Sequence, residues 1–509
     1  MRATLHRLAA ISIAWLFALT LGAGAASAGG TLKIGRDQDS TTFDPILISQ
    51  NADLWVIINA NGTLVRNNFD GTAVEPDLAE SWTVSPDGLV YTFKLRDGLK
   101  FSDGSPIKGS DIRFSLERLR DTKESVFGAM YAPMKTIETP DDRTVVITLS
   151  QPTAPFITFI AMFAASILPE DYVKNHYDEY LEHPIGAGAF KIVEWKRGEY
   201  VALEKNPYSW EGPAKPKLDR VEWHYIPNDN TRILKLQAGE IDAMIFVPFN
   251  RVAELQKDPN LQVHLDLSTR EDHLLVNHSH PPLDKKEVRQ ALCKAIDLDA
   301  IVKVATFGIG TPANSYIPKG SLFYNPDNPR CAYEPDKAKQ MLAAAGVSGL
   351  TLKLLISSGD VTAEQVAVLV QSQLAQVGIT VAIEKQEVGQ AWETEIAGDY
   401  DLSMNYWTND IIDPDEKTSF SLYGDPDNMS YHTRYKNPEV SKLIDEGRTE
   451  MDPAKRKAIY DKIQAIAKDD VNWIDLYYSP YRNATRTNVK NFTQNPLGRF
   501  TLEDTELTQ

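Results

Sequence analysis

The chain has 509 residues and a formal net charge of −17, with 42% hydrophobic and 24% charged residues. That length exceeds one ordinary domain and suggests roughly two to four, and the composition excludes a disordered or low-complexity chain. The acidic balance disfavours nucleic acid and anionic lipid as partners.

The chain begins MRATLHRLAAISIAWLFALTLGAGAASAGG. A basic start at Arg2 and Arg7, a short apolar run and an Ala26-Ser27-Ala28 site read as a secretory signal peptide over residues 1–28. No basic stop-transfer cluster follows, which argues against a membrane anchor, and no cysteine near the cleavage site offers a point for lipid. Loss of Arg2 and Arg7 would take the net charge from −17 to −19. Export makes a disulfide between Cys293 and Cys331 chemically possible. The alternative is a buried thiol at Cys293, which sits in an apolar helical run, and both readings stay open.

The mature chain opens with TLKIGRDQDSTTFDP, a short strand followed by a turn-rich loop, and LWVIINANGTLV reads as an apolar helix ending near Asn61-Gly62. In SWTVSPDGLVYTFKLRDGLKFSDG, Tyr91, Phe93 and Leu95 alternate between a Pro86-Asp87-Gly88 turn and an Arg96-Asp97-Gly98 turn, the marks of a hairpin. Ser110 or Asp111 then caps a helix carrying Ile112, Leu116 and Leu119. RTVVITL is a further strand, so an α+β unit is expected through about residue 185. Two strands flank Lys196-Arg197-Gly198, and a helix, a turn at Gly239 and a strand through Ile241, Ala243 and Ile245 follow.

The later part has another rhythm. DKKEVRQALCKAIDLDAI places Val288, Ala291, Leu292, Ala295 and Ile296 on one helical face. LTLKLLI, AEQVAVLVQSQLAQVG and ITVAIEK form a βαβ unit, which requires parallel strands and a right-handed crossover. YDLSMNYW is another strand; two helices and a last strand, NWIDLYY, follow. Two α/β regions without a flexible spacer suggest lobes around a cleft. In open α/β sheets ligands sit beyond the carboxyl ends of parallel strands. The loops Ser357-Ser358-Gly359 and Thr408-Asn409-Asp410 occupy such positions.

Enzymatic signatures are missing: there is no H-E-x-x-H, no phosphate loop and no G-x-S-x-G. GIGTPA at Gly308–Ala313 matches a loose dinucleotide fingerprint, but it follows a helix rather than a strand. His278 and His280 would share one face of a strand and so form a weak metal candidate, against the plainer reading of exposed histidines before Pro281-Pro282. Paired carboxylates are uninformative in so acidic a chain, so a secreted hydrolase stays open as the alternative from a different class.

The segments ESW, SPDG, YTFKLRDGLKFSDG and DIRFSLER stand in order, as do VNHSHPPLDKKEVRQALCKAIDLDAIV and YWTNDIIDPD. With them the mature chain resembles, over essentially its whole length, the periplasmic solute-binding proteins of ABC importers for dipeptides, oligopeptides and nickel (bacterial extracellular solute-binding protein family 5). The resemblance implies an α/β, two-lobed periplasmic binding protein fold with an additional third domain. Domain I would comprise 29–65, 186–271 and 485–509, domain II 66–185, and domain III 272–484. Domains I and III would close on the ligand by a hinge near residues 271 and 484.

It further implies a monomeric, non-catalytic periplasmic receptor, without cofactor or resident metal, that delivers a peptide to membrane permease subunits served by ATP-binding subunits. A nickel chelate or an opine-like solute is the alternative cargo. The family's ligand contacts fall on Trp407, Thr408, Asn409 and Asp410, with Asp410 facing the ligand's amino group, and on Ser49. The position of the family's carboxylate-binding arginine falls on or near Ser357, and no arginine lies in that loop.

Overall fold

The computed structural model describes residues 29–424, 430 and 433–508. The expected signal peptide, residues 1–28, lies outside the described residues. Among the described residues no helix is long and apolar enough to cross a membrane.

Two mixed sheets carry the architecture. The first has seven strands in the order Leu261–Asp266, Tyr481–Arg486, Ala243–Met244, Thr31–Arg36, Arg220–Tyr225, Tyr200–Lys205 and Phe190–Lys196. Thr31–Arg36 runs parallel to both Arg220–Tyr225 and Ala243–Met244. The second has six strands in the order Thr311–Pro312, Trp473–Tyr478, Glu271–Val276, Leu402–Trp407, Thr351–Ser357 and Thr380–Gln386. Thr351–Ser357 is parallel to both its neighbours, as the βαβ reading requires. The helix between the paired strands is Val361–Gln376; Asp360 caps it by accepting from Ala363 N, and Gly378 just beyond it adopts a φ of +83°.

A third sheet is the expected hairpin region. Ala79–Val84, Val90–Leu95, Thr144–Leu149 and Met134–Asp141 pair antiparallel in that order. Tyr91, Phe93 and Leu95 point into the core, and the Pro86-Asp87-Gly88 turn is closed by Ser85 N donating to Val90 O at 2.9 Å. Gly88 sits there at φ +71°, a conformation that side chains resist. One apolar core joins this sheet to the seven-stranded one, with Phe93, Ile147, Leu32, Ile34 and Trp223 all in it. The six-stranded sheet is packed by separate cores, one holding Leu274, Leu292, Leu354 and Val370, the other Leu275, Tyr400 and Trp473.

The structure corrects several local expectations. Helix Gly109–Asp121 starts before Ser110, and Asp111 acts from within its first turn, accepting from Lys108 N at 2.7 Å. The single helix expected over residues 284–301 is two, Lys286–Ala295 and Leu298–Ala305, because Asp297 turns its side chain back to accept from Ala300 N and starts the second. The strand expected through Ile245 is confined to Ala243–Met244.

The chain passes between the two large sheets twice, between Asp266 and Glu271 and between Tyr478 and Tyr481. A domain boundary at 484/485 would therefore cut the strand Tyr481–Arg486, which pairs along its length with Leu261–Asp266. The second crossing lies a few residues earlier, at Ser479-Pro480. Cys293 and Cys331 form a disulfide, with Cα atoms 5.6 Å apart, which decides between the two readings left open by the sequence.

Candidate ligand-binding site

Six parallel strands of the two large sheets end at one place. The residues just past Thr31–Arg36, Arg220–Tyr225 and Ala243–Met244 face those just past Thr351–Ser357, Thr380–Gln386 and Leu402–Trp407 across a cavity of about 330 Å³. This is where exposed strand-end loops converge in open α/β sheets. A volume of this size suits a small solute. Hydrogen bonds cross the cleft: Asn51 Nδ2 to Tyr406 Oη at 3.4 Å, Tyr225 Oη to Glu387 Oε1 at 3.3 Å, and Val361 N to Asp229 Oδ2 at 3.4 Å.

Of the six residues expected in the site, Ser49, Ser357, Trp407, Thr408 and Asp410 line this cavity. Ser49 comes from the loop before helix Asn51–Ala60 and Ser357 from the end of its strand. Trp407 packs against Phe420, ring centroids 5.7 Å apart. Asn409 is the exception. It is buried behind the wall, its backbone N–H donating to Thr269 Oγ1 at 3.0 Å, and does not line the cavity.

Asp410 belongs to a carboxyl pair. Its backbone N–H donates to Glu416 Oε2 at 3.1 Å, and the two side chains are hydrogen bonded to each other. Burial raises the pKa of both; the nearby Asp410 charge drives Glu416 up further, so Glu416 holds the shared proton. Arg499 donates to the Asp410 carbonyl and counters the remaining negative charge. Burial lowers the Arg499 pKa even so.

Sequence reasoning did not find the charges at the crossings. Arg270 donates from Nε to both oxygens of Asp272 at 3.1 Å and from Nη2 at 2.7 Å, and its guanidinium lies 3.6 Å over the Tyr406 ring. Ser479, in the second crossing, donates to Asp272 Oδ2 at 3.0 Å. Asp272 thus ties the two crossings together. Arg482, two residues beyond Pro480, also lines the cavity, as do Asp229, Arg232 and Phe246. The polar run Thr269-Arg270-Glu271-Asp272-His273 that leads into the strand Glu271–Val276 was the available signal, but it does not say which way the side chains point.

The histidines of the weak metal reading lie apart from this. The strand ends at Val276; His278 Nε2 bonds Asn472 O at 3.0 Å and His280 Nδ1 bonds Asp401 Oδ1 at 3.0 Å. Burial lowers the His278 pKa to about 3, which keeps it neutral. Among the described residues no group of three or more His, Cys, Asp and Glu is placed to hold a metal ion.

With this geometry in hand, comparison with known proteins decides the family. The family model for bacterial extracellular solute-binding proteins, family 5 (middle region), matches residues 73–431. The chain belongs to that family. It is 31% identical over 479 residues to the "Probable D,D-dipeptide-binding periplasmic protein DdpA" of Escherichia coli K12, an alignment spanning 92% of each chain. Among solved structures of the same architecture, the periplasmic binding protein DppA of Helicobacter pylori in complex with the peptide STSA superposes with a TM-score of 0.87 at 30% identity, covering 95% of this chain and 99% of that one. AgaA of A. tumefaciens R10, in complex with agropinic acid, does so with a TM-score of 0.86 at 30% identity, covering 94% and 99%. The α/β, two-lobed fold expected from the sequence is thereby established, and these relatives are periplasmic binding proteins.

Proposed function

We propose that this protein is a periplasmic receptor that captures peptides between its two large sheets and delivers them to the permease of an ABC importer. It acts stoichiometrically and catalyses no reaction. The observation that carries the peptide reading is Asp410: a carboxylate at the mouth of a parallel strand, beside Trp407 and with its proton held by Glu416, suits a ligand ammonium. The peptide-bound and D,D-dipeptide-binding relatives support it.

In this reading Trp407, Thr408, Ser49 and Ser357 form the walls around the peptide, and Asp410 anchors its amino end. Residues 66–185 share a core with the seven-stranded lobe, which suits a rigid body against which the six-stranded lobe moves about the two crossings. Export by the signal peptide and a monomeric free state complete the proposal.

Mass spectrometry of solutes carried through purification, with metal analysis of the same sample, tests the cargo. Peptide is expected; a nickel chelate or an opine recovered in stoichiometric amount would replace it. Small-angle scattering tests closure, with a smaller radius of gyration expected on addition of Ser-Thr-Ser-Ala, and an unchanged profile at saturation counting against a hinge. Ligand should also raise the melting temperature; at 100 times its dissociation constant the native state gains about 2.7 kcal/mol.

A further inference from the structure

One cation in the cleft is not neutralised. Arg482 is buried on the strand Tyr481–Arg486. Its Nε donates to Val247 O at 2.9 Å, its Nη1 donates to Pro480 O at 3.1 Å, and the guanidinium lies 3.6 Å over the Phe249 ring. Both acceptors are uncharged carbonyls. Among the described residues no carboxylate forms an ion pair with Arg482, and Nη2 has no protein acceptor.

The other arginines of the cavity each have a carboxyl partner in contact, Arg270 with Asp272 and Arg232 with Asp229. The acids that act on Arg482 through space are committed as well, Asp272 to Arg270 and Ser479, and Asp360 to capping the helix at Ala363. Burial and the like charge of Arg270 lower the Arg482 pKa to about 10, which leaves it a cation at neutral pH. A buried guanidinium with a free donor edge is strongly disfavoured unless an anion meets it.

We propose that the anion is the carboxylate of the bound peptide, received by Arg482 from the seven-stranded lobe while Asp410 holds the amine from the six-stranded lobe. This rests on the peptide reading above and adds to it the residue that reads the other end of the ligand. It also accounts for a carboxylate site in a chain whose Ser357 loop carries no cation. Because Arg482 bonds Pro480 O, the contact sits on the second crossing, so a zwitterionic ligand would bridge the lobes at the point where they turn.

Calorimetry with Ser-Thr-Ser-Ala as free acid and as C-terminal amide, on the purified mature protein, tests the assignment. The wild type should bind the acid at least about 30-fold more tightly than the amide, the loss expected when one partner of a buried charge pair is deleted. In Arg482→Gln the two forms should bind within about threefold of each other, since nothing then distinguishes the acid by charge. The ratio is read within one protein, so a change in fold stability cancels. Should Arg482→Gln fail to fold, Arg482→Lys keeps the charge but loses the planar fork, and its preference should fall by at least about threefold.

A wild type that binds acid and amide alike overturns the proposal while the peptide reading stands, and so does a variant that keeps the full preference. A wild type that binds neither form removes the peptide reading for this probe and the proposal with it.

Discussion

The four-stranded sheet within residues 79–149 and the interior of the six-stranded lobe are held by different forces. In the sheet, Phe93, Val145 and Ile147 are fully buried, and the ion pairs lie at the surface: Arg143–Glu80, 3.1 Å, has side chains 35% and 43% exposed. Within the six-stranded lobe several ion pairs lie inside. Arg456 donates to both Asp413 oxygens, at 2.7 and 3.1 Å, with side chains 6% and 5% exposed; Arg448 meets Asp415 at 3.0 Å, and Lys417 meets Glu271 at 3.4 Å. Buried pairs of this kind recover little more than their own desolvation. The difference teaches that the sheet is held by apolar burial, whereas the six-stranded lobe fixes paired charges in its interior at little net gain in stability.

Two substitutions of similar cost separate these causes. Phe93→Ala removes a core ring and should lose about 3–5 kcal/mol through the cavity left behind. Arg456→Met strands a buried carboxylate and should lose about 3–5 kcal/mol for that reason. The double variant Arg456→Met/Asp413→Leu should recover most of the second loss in urea unfolding, since no unpaired charge remains. A double variant as unstable as the single one would mean that the network supports the fold as strongly as an apolar core does.

The disulfide comes next. Cys293 and Cys331 enclose a separation of 38 residues within the six-stranded lobe, and Cys293→Ser/Cys331→Ser should lose about 2–4 kcal/mol. Hydrogen exchange should locate the loss in helices Lys286–Ala295 and Pro335–Ala344 and leave the four-stranded sheet as protected as before. Uniform loss of protection would show that the two regions unfold as one unit and would blur the comparison.

Asp410→Asn should act on ligand more than on fold. Loss of the ammonium's partner should weaken Ser-Thr-Ser-Ala binding at least tenfold, about 1.4 kcal/mol. The unliganded melting temperature should barely move, because Glu416 is released from a like charge as Arg499 loses an opposite one. Retained affinity with a destabilised fold would make Asp410 a structural turn residue.

The smallest effect is a slope. Burial raises the Asp229 pKa to about 7 in spite of Arg232. A raised folded-state value means that the native protein holds a proton the unfolded chain has already lost. The contribution is therefore complete below about pH 4, the unfolded value, and is lost as pH rises toward 7. Urea midpoints measured across that range should fall less steeply in Asp229→Asn than in the wild type, and an identical slope would remove Asp229 from the charges that set the pH response of the cleft.

Much of the fold was legible from the sequence because its signals are local. Alternation at Tyr91, Phe93 and Leu95 with a glycine turn on either side specifies a hairpin wherever it stands, and apolar strands bounding an amphipathic helix require a parallel pair. Where local signals competed they misled: an apolar face continuous over residues 288–296 concealed the break that Asp297 imposes. The loops past Ile356 and Trp407 could be chosen in advance because the carboxyl end of a parallel strand is a topological position; within the second, the family resemblance singled out Asp410.

What the sequence by itself determined is most of the elements, the family and which strand-end loops line the cleft. Only the tertiary structure decided which charges meet there. Arg270, Asp410 and Arg482 are distant in the chain and come together because the two crossings and the loop past Leu402–Trp407 line one cleft. Whether each keeps its charge for a ligand depends on partners supplied across the fold: Asp272 satisfies Arg270, Glu416 takes a proton beside Asp410, and Arg482 is left with neutral carbonyls. Electrostatic pairing acts through space over a few ångströms, and spacing along the chain carries no record of it.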